Sequence, residues 1–178
     1  MTPSTPWVEA QAAALRNPGA TPESMPPFRS VGFTISSIGY AVARRFRELL
    51  APAGLEPREF ALLRAIGADE GQSQQTIGER LQIPPSRMVA FVDVLEQRGL
   101  VERRQNPTDR RARALFLTEP GRETLARAFT RAIEHERDLC ADLSAEEREQ
   151  LLDLLGHVAQ RLGLPPRVHA AHSALPDE

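Results

Sequence analysis

Apolar residues recur at the spacing of one face of an α-helix along most of the chain. This pattern predicts long helices near both ends of the chain and shorter helices between them. The predicted helices cover residues 29–51, 56–68, 73–82, 84–98, 118–142 and 144–162. A further short helix is predicted over residues 6–16, where Pro6 suits the first helical position.

Local signals mark several of the helix ends. Thr118 and Ser144 suit N-cap positions, and Glu147 completes a capping box with Ser144 because each side chain can bond the other's backbone amide. Gly99 suits the left-handed residue that follows a helix. These signals place helix boundaries close to residues 99, 118 and 144.

The segment over residues 100–118, LVERRQNPTDRRARALFLT, predicts a β-hairpin instead of a helix. Asn106, Pro107, Thr108 and Asp109 are residues that start and shape tight turns, and runs rich in Val, Leu, Phe and Arg flank them. Helix, helix, short helix, helix, hairpin and two long helices is the order of a winged helix-turn-helix protein. We therefore expect a mainly α fold with one β-hairpin wing.

Positive charge is concentrated in this hairpin. Residues 98–113 contain six arginines against two carboxylates, a net charge of +4, whereas the formal net charge of the whole chain is −2. A local basic projection is typical of an element that follows DNA phosphates. The other interpretation is a solvated edge hairpin whose arginines prevent edge-to-edge aggregation.

Length and composition favour one intracellular domain. The 178 residues are enough for a single domain with terminal extensions, and no apolar run has the length of a membrane span. The start of the chain lacks the basic and apolar regions of a signal peptide, so a cytoplasmic location is expected. Cys140, the one cysteine, cannot form an intramolecular disulfide, and a buried structural role is expected rather than redox sensing.

Motifs for metal binding or catalysis are weak. His169 and His172 have a metal-like spacing, but no cysteine or acidic pair accompanies them in a folded element, and His135 and His157 also stand alone. The sequence contains no Gly-rich phosphate loop, nucleophile elbow or paired-carboxylate motif. We expect no metal, no cofactor and no enzymatic activity.

The predicted helices over residues 73–82 and 84–98 have helix-turn-helix proportions. Two segments then carry a family resemblance: QQTIGERLQIPPSRMVAFVDVLEQRGLVERR at 74–104 and NPTDRRARALFLTEPG at 106–121. The second segment has Asp-x-Arg at the wing tip and Leu-Thr at the start of the next helix. Over residues 30–162 the chain resembles the MarR family of winged helix-turn-helix transcription regulators.

The resemblance implies a homodimer that binds a pseudo-palindromic operator in double-stranded DNA and usually represses transcription. It assigns dimerisation to the first and the last two long helices. The implied regions are an N-terminal extension (1–28), a helical dimerisation region (29–54 and 118–163), a winged helix-turn-helix DNA-binding domain (55–117) and a loose tail (164–178).

Within the wing, the resemblance implies roles for four charged residues. Arg111 matches the arginine that enters the minor groove, where narrow A·T-rich segments concentrate negative potential. Asp109 matches the acidic residue that orders the wing tip. Arg110 and Arg113 are expected at phosphates, which position the protein without reading sequence.

The exposed face of the helix over residues 84–98 is expected in a major groove. Ser86 and Arg87 occupy its first turn, where a helix N-terminus favours phosphate, and Arg87 can alternatively pair with guanine O6 and N7. Val89 and Ala90 depart from the polar residues of many relatives, which favours contact with thymine methyl groups or recognition of DNA shape. Three polar residues before this helix are expected at the DNA backbone: Ser73, Gln74 and Gln75. The remaining arginines of this region are interpreted as ordinary solvated charge: Arg80, Arg98, Arg103 and Arg104.

The resemblance also implies a small, often aromatic or anionic effector that binds between the dimer helices and the DNA-binding domain. The expected lining residues, each of which could instead be plain core, are Ile35, Ser36, Gly39, Tyr40, Phe60 and Leu63. The competing function is a helical adaptor that binds protein on a winged-helix scaffold. Salt dependence separates the two, because DNA binding through several arginines weakens steeply as salt rises.

Overall fold

The computed structural model describes residues 30–105 and 113–164, together with Glu9, Ala12, Ala13 and Arg16. Its elements are α1 (Val31–Leu50), α2 (Pro57–Ala68), α3 (Gln74–Leu81), α4 (Pro85–Gln97), β1 (Val101–Gln105), β2 (Arg113–Leu117), α5 (Glu119–Leu139) and α6 (Ala145–Arg161). A 3-10 turn, Ala51–Ala53, follows α1. The predicted mainly α fold with one β-hairpin is confirmed.

The predicted caps are confirmed as well. Thr118 Oγ1 accepts a hydrogen bond from the Gly121 amide at 3.1 Å, and Ser144 and Glu147 form the reciprocal capping box. Gly99 has a φ of 66°. The prediction was wrong at the end of α5, which stops at Leu139 instead of residue 142, because residues 140–143 form a turn in which the Leu143 amide donates to the Cys140 carbonyl.

The terminal predictions are mostly outside the described residues. Of the helix predicted over residues 6–16, Glu9, Ala12 and Ala13 are helical. Arg16 forms a turn, and its amide donates to the Ala13 carbonyl at 3.2 Å. The remaining residues of that helix and the tail beyond Leu164, which includes the histidine pair at 169 and 172, lie outside the described part of the chain.

The chain divides into two compact units between Arg45 and Phe46, inside α1. In the first unit, the largest exposed apolar side chains are Val31, Phe33, Ile38 and Tyr40. The second unit holds the hydrophobic core, to which α2, α3, α4, α5 and the hairpin all contribute. Its largest fully buried side chains are Leu50, Leu62, Leu63, Ile66, Ile77, Met88, Val92, Leu95, Val101 and Leu115.

The hairpin is fastened at its base. β1 and β2 pair antiparallel, from Val101 opposite Leu117 to Gln105 opposite Arg113. Backbone bonds also join β2 to the loop before α3, since Leu115 donates to the Gln72 carbonyl at 3.0 Å and accepts from the Gly71 amide at 2.9 Å. The described base of the wing therefore belongs to the core.

Two helices complete the second unit in different ways. The first turn of α5 packs directly on backbone: a Cβ built at Gly121 would lie 1.9 Å from the Leu100 carbonyl oxygen. By contrast, α6 has no buried residue. None of the helices in the described ranges is long and apolar enough to cross a membrane.

Candidate DNA-binding surface

Helices α3 and α4 form a closely packed helix-turn-helix. Gln82 takes a left-handed conformation with a φ of 55°, and the next residue, Ile83, is buried. A Cβ built at Gly78 would lie 3.3 Å from Met88 Cγ and 3.4 Å from the Ile83 carbonyl oxygen. The small residue in α3 thus lets the two helices approach closely and fixes the direction in which α4 projects.

The outward face of α4 contains the residues predicted to meet DNA bases. Pro85 occupies the first turn, and Ser86, Val89 and Ala90 are exposed, with Val89 at 45% of its full accessibility. Arg87 is half-buried and has an interaction within the protein. Because first-turn amides lack intrahelical partners and the helix dipole is positive there, this end of α4 suits an anion such as phosphate.

The three polar residues at the start of α3 are already hydrogen-bonded. Ser73 caps the helix by accepting from the Thr76 amide at 3.0 Å. Gln74 accepts from Arg103 through Oε1, and Gln75 donates to Glu79 at 2.9 Å. These bonds pre-orient the side chains but leave the Gln74 amide nitrogen as a donor. Their predicted contacts with the DNA backbone remain predictions.

The wing residues divide between the described and undescribed ranges. Arg113 begins β2 and is exposed opposite Gln105. Asp109, Arg110 and Arg111 lie outside the described residues. Their roles at the wing tip remain predictions.

The arginines interpreted as solvated charge have specific partners inside the protein. Arg98 donates to the Gly54 carbonyl at 2.7 Å and pairs with Glu59 at 3.0 Å. Arg80 donates to the Ala65 carbonyl at 2.7 Å, and Arg104 lies over the Phe116 ring at 4.6 Å from its centroid.

Arg103 has the largest set of these partners and is only 16% exposed at its side chain. The interpretation as solvated charge is therefore wrong for Arg98 and Arg103, whose guanidinium groups join separate elements. Of the six arginines counted in the basic segment, the three between residues 98 and 104 have partners within the described residues. Contacts of the arginines at 110, 111 and 113 with DNA remain predictions.

Two acidic positions of this region were not predicted from the sequence. Asp93 and Glu96 of α4 both pair with Arg103. The sequence does contain a signal for this pairing. Two carboxylates on a helix that is expected to face DNA phosphates would repel them unless a cationic side chain neutralises their charge.

Glu70 joins the wing to α5. One carboxylate oxygen accepts from the Leu117 amide at 2.9 Å and from Arg122 at 2.7 Å. Burial alone would raise the pKa of Glu70, but the hydrogen bonds from Arg122 and from the Leu117 backbone outweigh it and lower the pKa below its ordinary value. The ionised carboxylate therefore stabilises the base of β2.

The residues expected to line an effector cleft occupy both units. Ile35 is half-buried on α1, and the other three positions of that helix are exposed: Ser36, Gly39 and Tyr40. Phe60 and Leu63 belong to the core of the second unit, where Phe60 packs edge-on against Phe46. The cleft itself stays a prediction.

Beside this aromatic pair lies an unusual polar group. His135 is 5% exposed and stacks on Phe46 at 6.0 Å between ring centroids. Neither ring nitrogen has a hydrogen-bond partner within the described residues. The expectation that Cys140 is buried was wrong: the residue is half-buried in the turn after α5, and its thiol lies 4.0 Å from Glu136 Oε1.

Comparisons with known proteins agree with this geometry. A family model described as "MarR family" matches residues 53–112. The chain is 33% identical to a putative transcriptional regulatory protein for the hcr operon of Thauera aromatica, over 70% of this chain and 76% of that protein. It is also 33% identical to the HTH-type transcriptional regulator PecS of Dickeya dadantii, over 72% of this chain and 80% of the relative.

Among solved structures, the transcriptional repressor CouR bound to a 23-mer DNA duplex is similar with a TM-score of 0.66 and 37% identity. The match covers 73% of this chain and 92% of CouR. This chain belongs to the MarR family of winged-helix, DNA-binding transcription regulators.

Proposed function

We propose that the protein is a homodimeric, effector-responsive repressor that acts in the cytoplasm on a pseudo-palindromic operator. Helix α4 enters the major groove and the wing enters the adjacent minor groove. The observation that carries the proposal is the exposed face of α4, held against α3 by a buried helix contact and placed beside an arginine-bearing hairpin. The similar repressor CouR, whose structure is bound to a 23-mer DNA duplex, supports DNA binding by this chain.

Within this mode the contacts divide by chemistry. Arg111 enters the minor groove, Asp109 holds the wing tip in shape, and Arg110 and Arg113 bind phosphates. Ser86 and Arg87 place the α4 N-terminus at a phosphate or guanine edge, while Val89 and Ala90 contact thymine methyl groups. Ser73, Gln74 and Gln75 approach the DNA backbone at the start of α3.

Dimerisation is supported by apolar surface that the described chain leaves uncovered. Large exposed side chains continue from α5 through α6 of the second unit: Phe129, Ile133, Leu139, Leu143, Leu151, Leu152, Leu154, Leu155, Leu162 and Leu164. Exposed apolar side chains in this number favour an interaction site on these helices. A twofold dimer places its two α4 helices about one DNA turn apart, roughly 34 Å.

An effector would act on that spacing. A small aromatic or anionic molecule in the cleft predicted at Ile35, Ser36, Gly39, Tyr40, Phe60 and Leu63 would favour a dimer whose α4 helices no longer match the operator. Thermal-shift screening with aromatic carboxylates, followed by operator titration of every hit, tests this. The proposal of an effector fails if no molecule that stabilises the protein changes its DNA affinity.

The operator itself comes from selection of random duplexes by the purified protein, and an enriched inverted repeat is the expected product. On that operator, Arg111→Ala should weaken binding about 10- to 100-fold and leave the dimer folded. Arg137→Ala on α5 removes the same charge outside the helix-turn-helix and wing and serves as the control. The plot of log affinity against log salt concentration should also become less steep, by about 0.9 for each phosphate that the variant no longer neutralises.

Two results would contradict the proposal in different ways. If selection enriches no duplex, and any remaining binding to DNA does not weaken as salt rises, the protein is an adaptor on a winged-helix scaffold. If the operator is found but Arg111→Ala binds it as tightly as the control, the wing assignment is wrong.

A further inference from the structure

Arg103 in the middle of β1 joins the wing to both helices of the helix-turn-helix. Its Nη2 atom lies 2.6 Å from Asp93 Oδ1 in α4 and 3.1 Å from Gln74 Oε1 in α3. Its Nε atom lies 3.4 Å from the same Gln74 oxygen, and Nη1 pairs with Glu96. The backbone amide of Arg103 donates to the other Glu96 oxygen at 3.2 Å.

This arrangement requires an arginine. A guanidinium group presents five N–H donors in a rigid plane, whereas an ammonium group concentrates three donors at one point. Arg103 uses its plane to reach three side chains on two helices. Lysine at this position could keep the charge but could not hold all three acceptors at once.

The acidic partners lie where DNA binding makes them costly. Asp93 and Glu96 follow Val89 at helical spacing, so they continue the outward face of α4. Uncompensated carboxylates there would repel DNA phosphates. Arg103 neutralises part of this charge and fastens β1 to the helix by the same contacts.

The hairpin has a second attachment that does not depend on Arg103. β2 is bonded through its backbone to Gly71 and Gln72, and the buried side chains of Val101, Leu115 and Leu117 anchor the base of the wing in the core. Loss of the Arg103 side chain therefore breaks the polar contacts between β1 and α4 but leaves the domain folded. The neighbouring Arg104 has different partners, Glu102 and the Phe116 ring, and offers a control with the same charge.

We propose that Arg103 is a positioning residue that sets the wing relative to α4, so that recognition helix and wing reach their two grooves together. This inference rests on the proposed DNA-binding mode. Its consequence is that a wing-tip contact has its full strength only while Arg103 is bonded to Asp93, Glu96 and Gln74.

The first test uses the full-length protein without DNA. Hydrogen exchange of the β1 amides over residues 102–105 should speed up at least about tenfold in Arg103→Gln, and also in Arg103→Lys, but not in Arg104→Gln. Exchange in α5 should stay at the wild-type rate in all three variants, which shows that the core is intact. Unchanged β1 exchange in both Arg103 variants would overturn the proposal.

The second test is a double-mutant cycle on the selected operator. Arg111→Ala should cost less than about one third of its wild-type fold-loss when Arg103→Gln is already present, because Arg111 on an unpositioned wing adds little to DNA affinity. A general loss of stability would not produce this dependence, and Arg104→Gln should leave the cost of Arg111→Ala unchanged. Equal costs with and without Arg103 would refute positioning.

The two tests separate this inference from the proposed function. If Arg111→Ala costs nothing in the wild-type protein, the wing contact is wrong, and hydrogen exchange alone then decides whether Arg103 fastens β1 to α4.

Discussion

Helices α2 and α6 carry similar leucine-rich stripes but bury them to different extents. Leu62 and Leu63 of α2 are 1% and 0% exposed, whereas Leu152 and Leu155 of α6 are 49% and 42% exposed. Hydrophobic periodicity predicted both helices equally well. It therefore identifies an apolar face without saying whether the same chain or another chain covers it.

The difference has a thermodynamic consequence. Full burial of a leucine side chain is worth about 1.5–3 kcal/mol, so α6 leaves much of its stabilisation unrealised within one chain. We call the predicted DNA-binding domain, residues 55–117, the winged domain; its core is closed by residues of the same chain, including Leu50 and Ala128 from the flanking helices. The stability of the winged domain should not depend on protein concentration. The stability of α6 should increase as the protein dimerises.

The largest effect is expected from charges placed on α6. Leu152→Glu together with Leu155→Glu should weaken dimerisation by about 4 kcal/mol, roughly a thousandfold, because each new carboxylate must be buried without a partner in the dimer. Sedimentation velocity should show monomers at concentrations where the wild type is dimeric. Circular dichroism should still report a cooperatively unfolding helical protein, since the core of the winged domain is closed by residues of a single chain without α6.

A control for this pair is Gln150→Glu with Gln160→Glu, which adds the same charge at polar positions of α6 and should remain dimeric. A double-leucine variant that unfolds completely would show that the winged domain is not self-sufficient. A variant that stays dimeric would show that α6 is not the interface.

The next effect comes from the close contact at the start of α5. Gly121→Ala should lower the free energy of unfolding by about 3 kcal/mol, because its Cβ would sit 1.9 Å from the Leu100 carbonyl oxygen and backbone must move to admit it. Gly156→Ala in α6 is the matched control, since a Cβ there meets nothing within 4 Å and improves helix propensity. Urea unfolding of both variants measures the contrast, and equal losses would mean that α5 does not pack as described.

The two capped helices offer a finer comparison. Thr118→Ala should cost about 2 kcal/mol, because its hydroxyl both accepts from Gly121 and donates to the Gly99 carbonyl at 2.5 Å. Ser144→Ala loses the cap of α6 alone and should cost about 1 kcal/mol. Thr118→Ser keeps both bonds and should unfold in urea close to the wild type. If Thr118→Ala lowers the free energy of unfolding no more than Ser144→Ala does, the hydrogen bond from Thr118 to the Gly99 carbonyl adds no stability.

These comparisons also show what the sequence could and could not predict. Caps and apolar stripes are local, so Thr118, Ser144 and the stripe of α4 were predicted correctly from neighbouring residues. Gln74 is far from Arg103 along the chain, and Leu117 is far from Glu70. Only the packing of helices against strands brings these hydrogen-bond partners together. Charge counting could identify a basic hairpin, but it could not show which of its arginines have partners within the protein, as Arg98 and Arg103 do.

The smallest effect tests such a long-range pair through its pH dependence. Glu70→Gln should lower the free energy of unfolding at pH 7 by about 0.5–1 kcal/mol, because the amide still accepts from Leu117 but no longer pairs with Arg122 as an anion. Glu70 has a lowered pKa in the folded state, so its contribution is present above the ordinary glutamate pKa of about 4.3 and is lost as the pH falls through the lowered value.

Urea titrations at pH 7 and at successively lower pH should therefore show wild type and Glu70→Gln converging only below about pH 4.3. Glu123→Gln is the control, since its pair with Arg127 on α5 is 63% exposed at both side chains and should contribute little at any pH. If the difference in free energy of unfolding between wild type and Glu70→Gln persists unchanged at low pH, packing rather than charge causes it. Convergence would show that the winged domain and α5 are joined by an ionic bond within one chain.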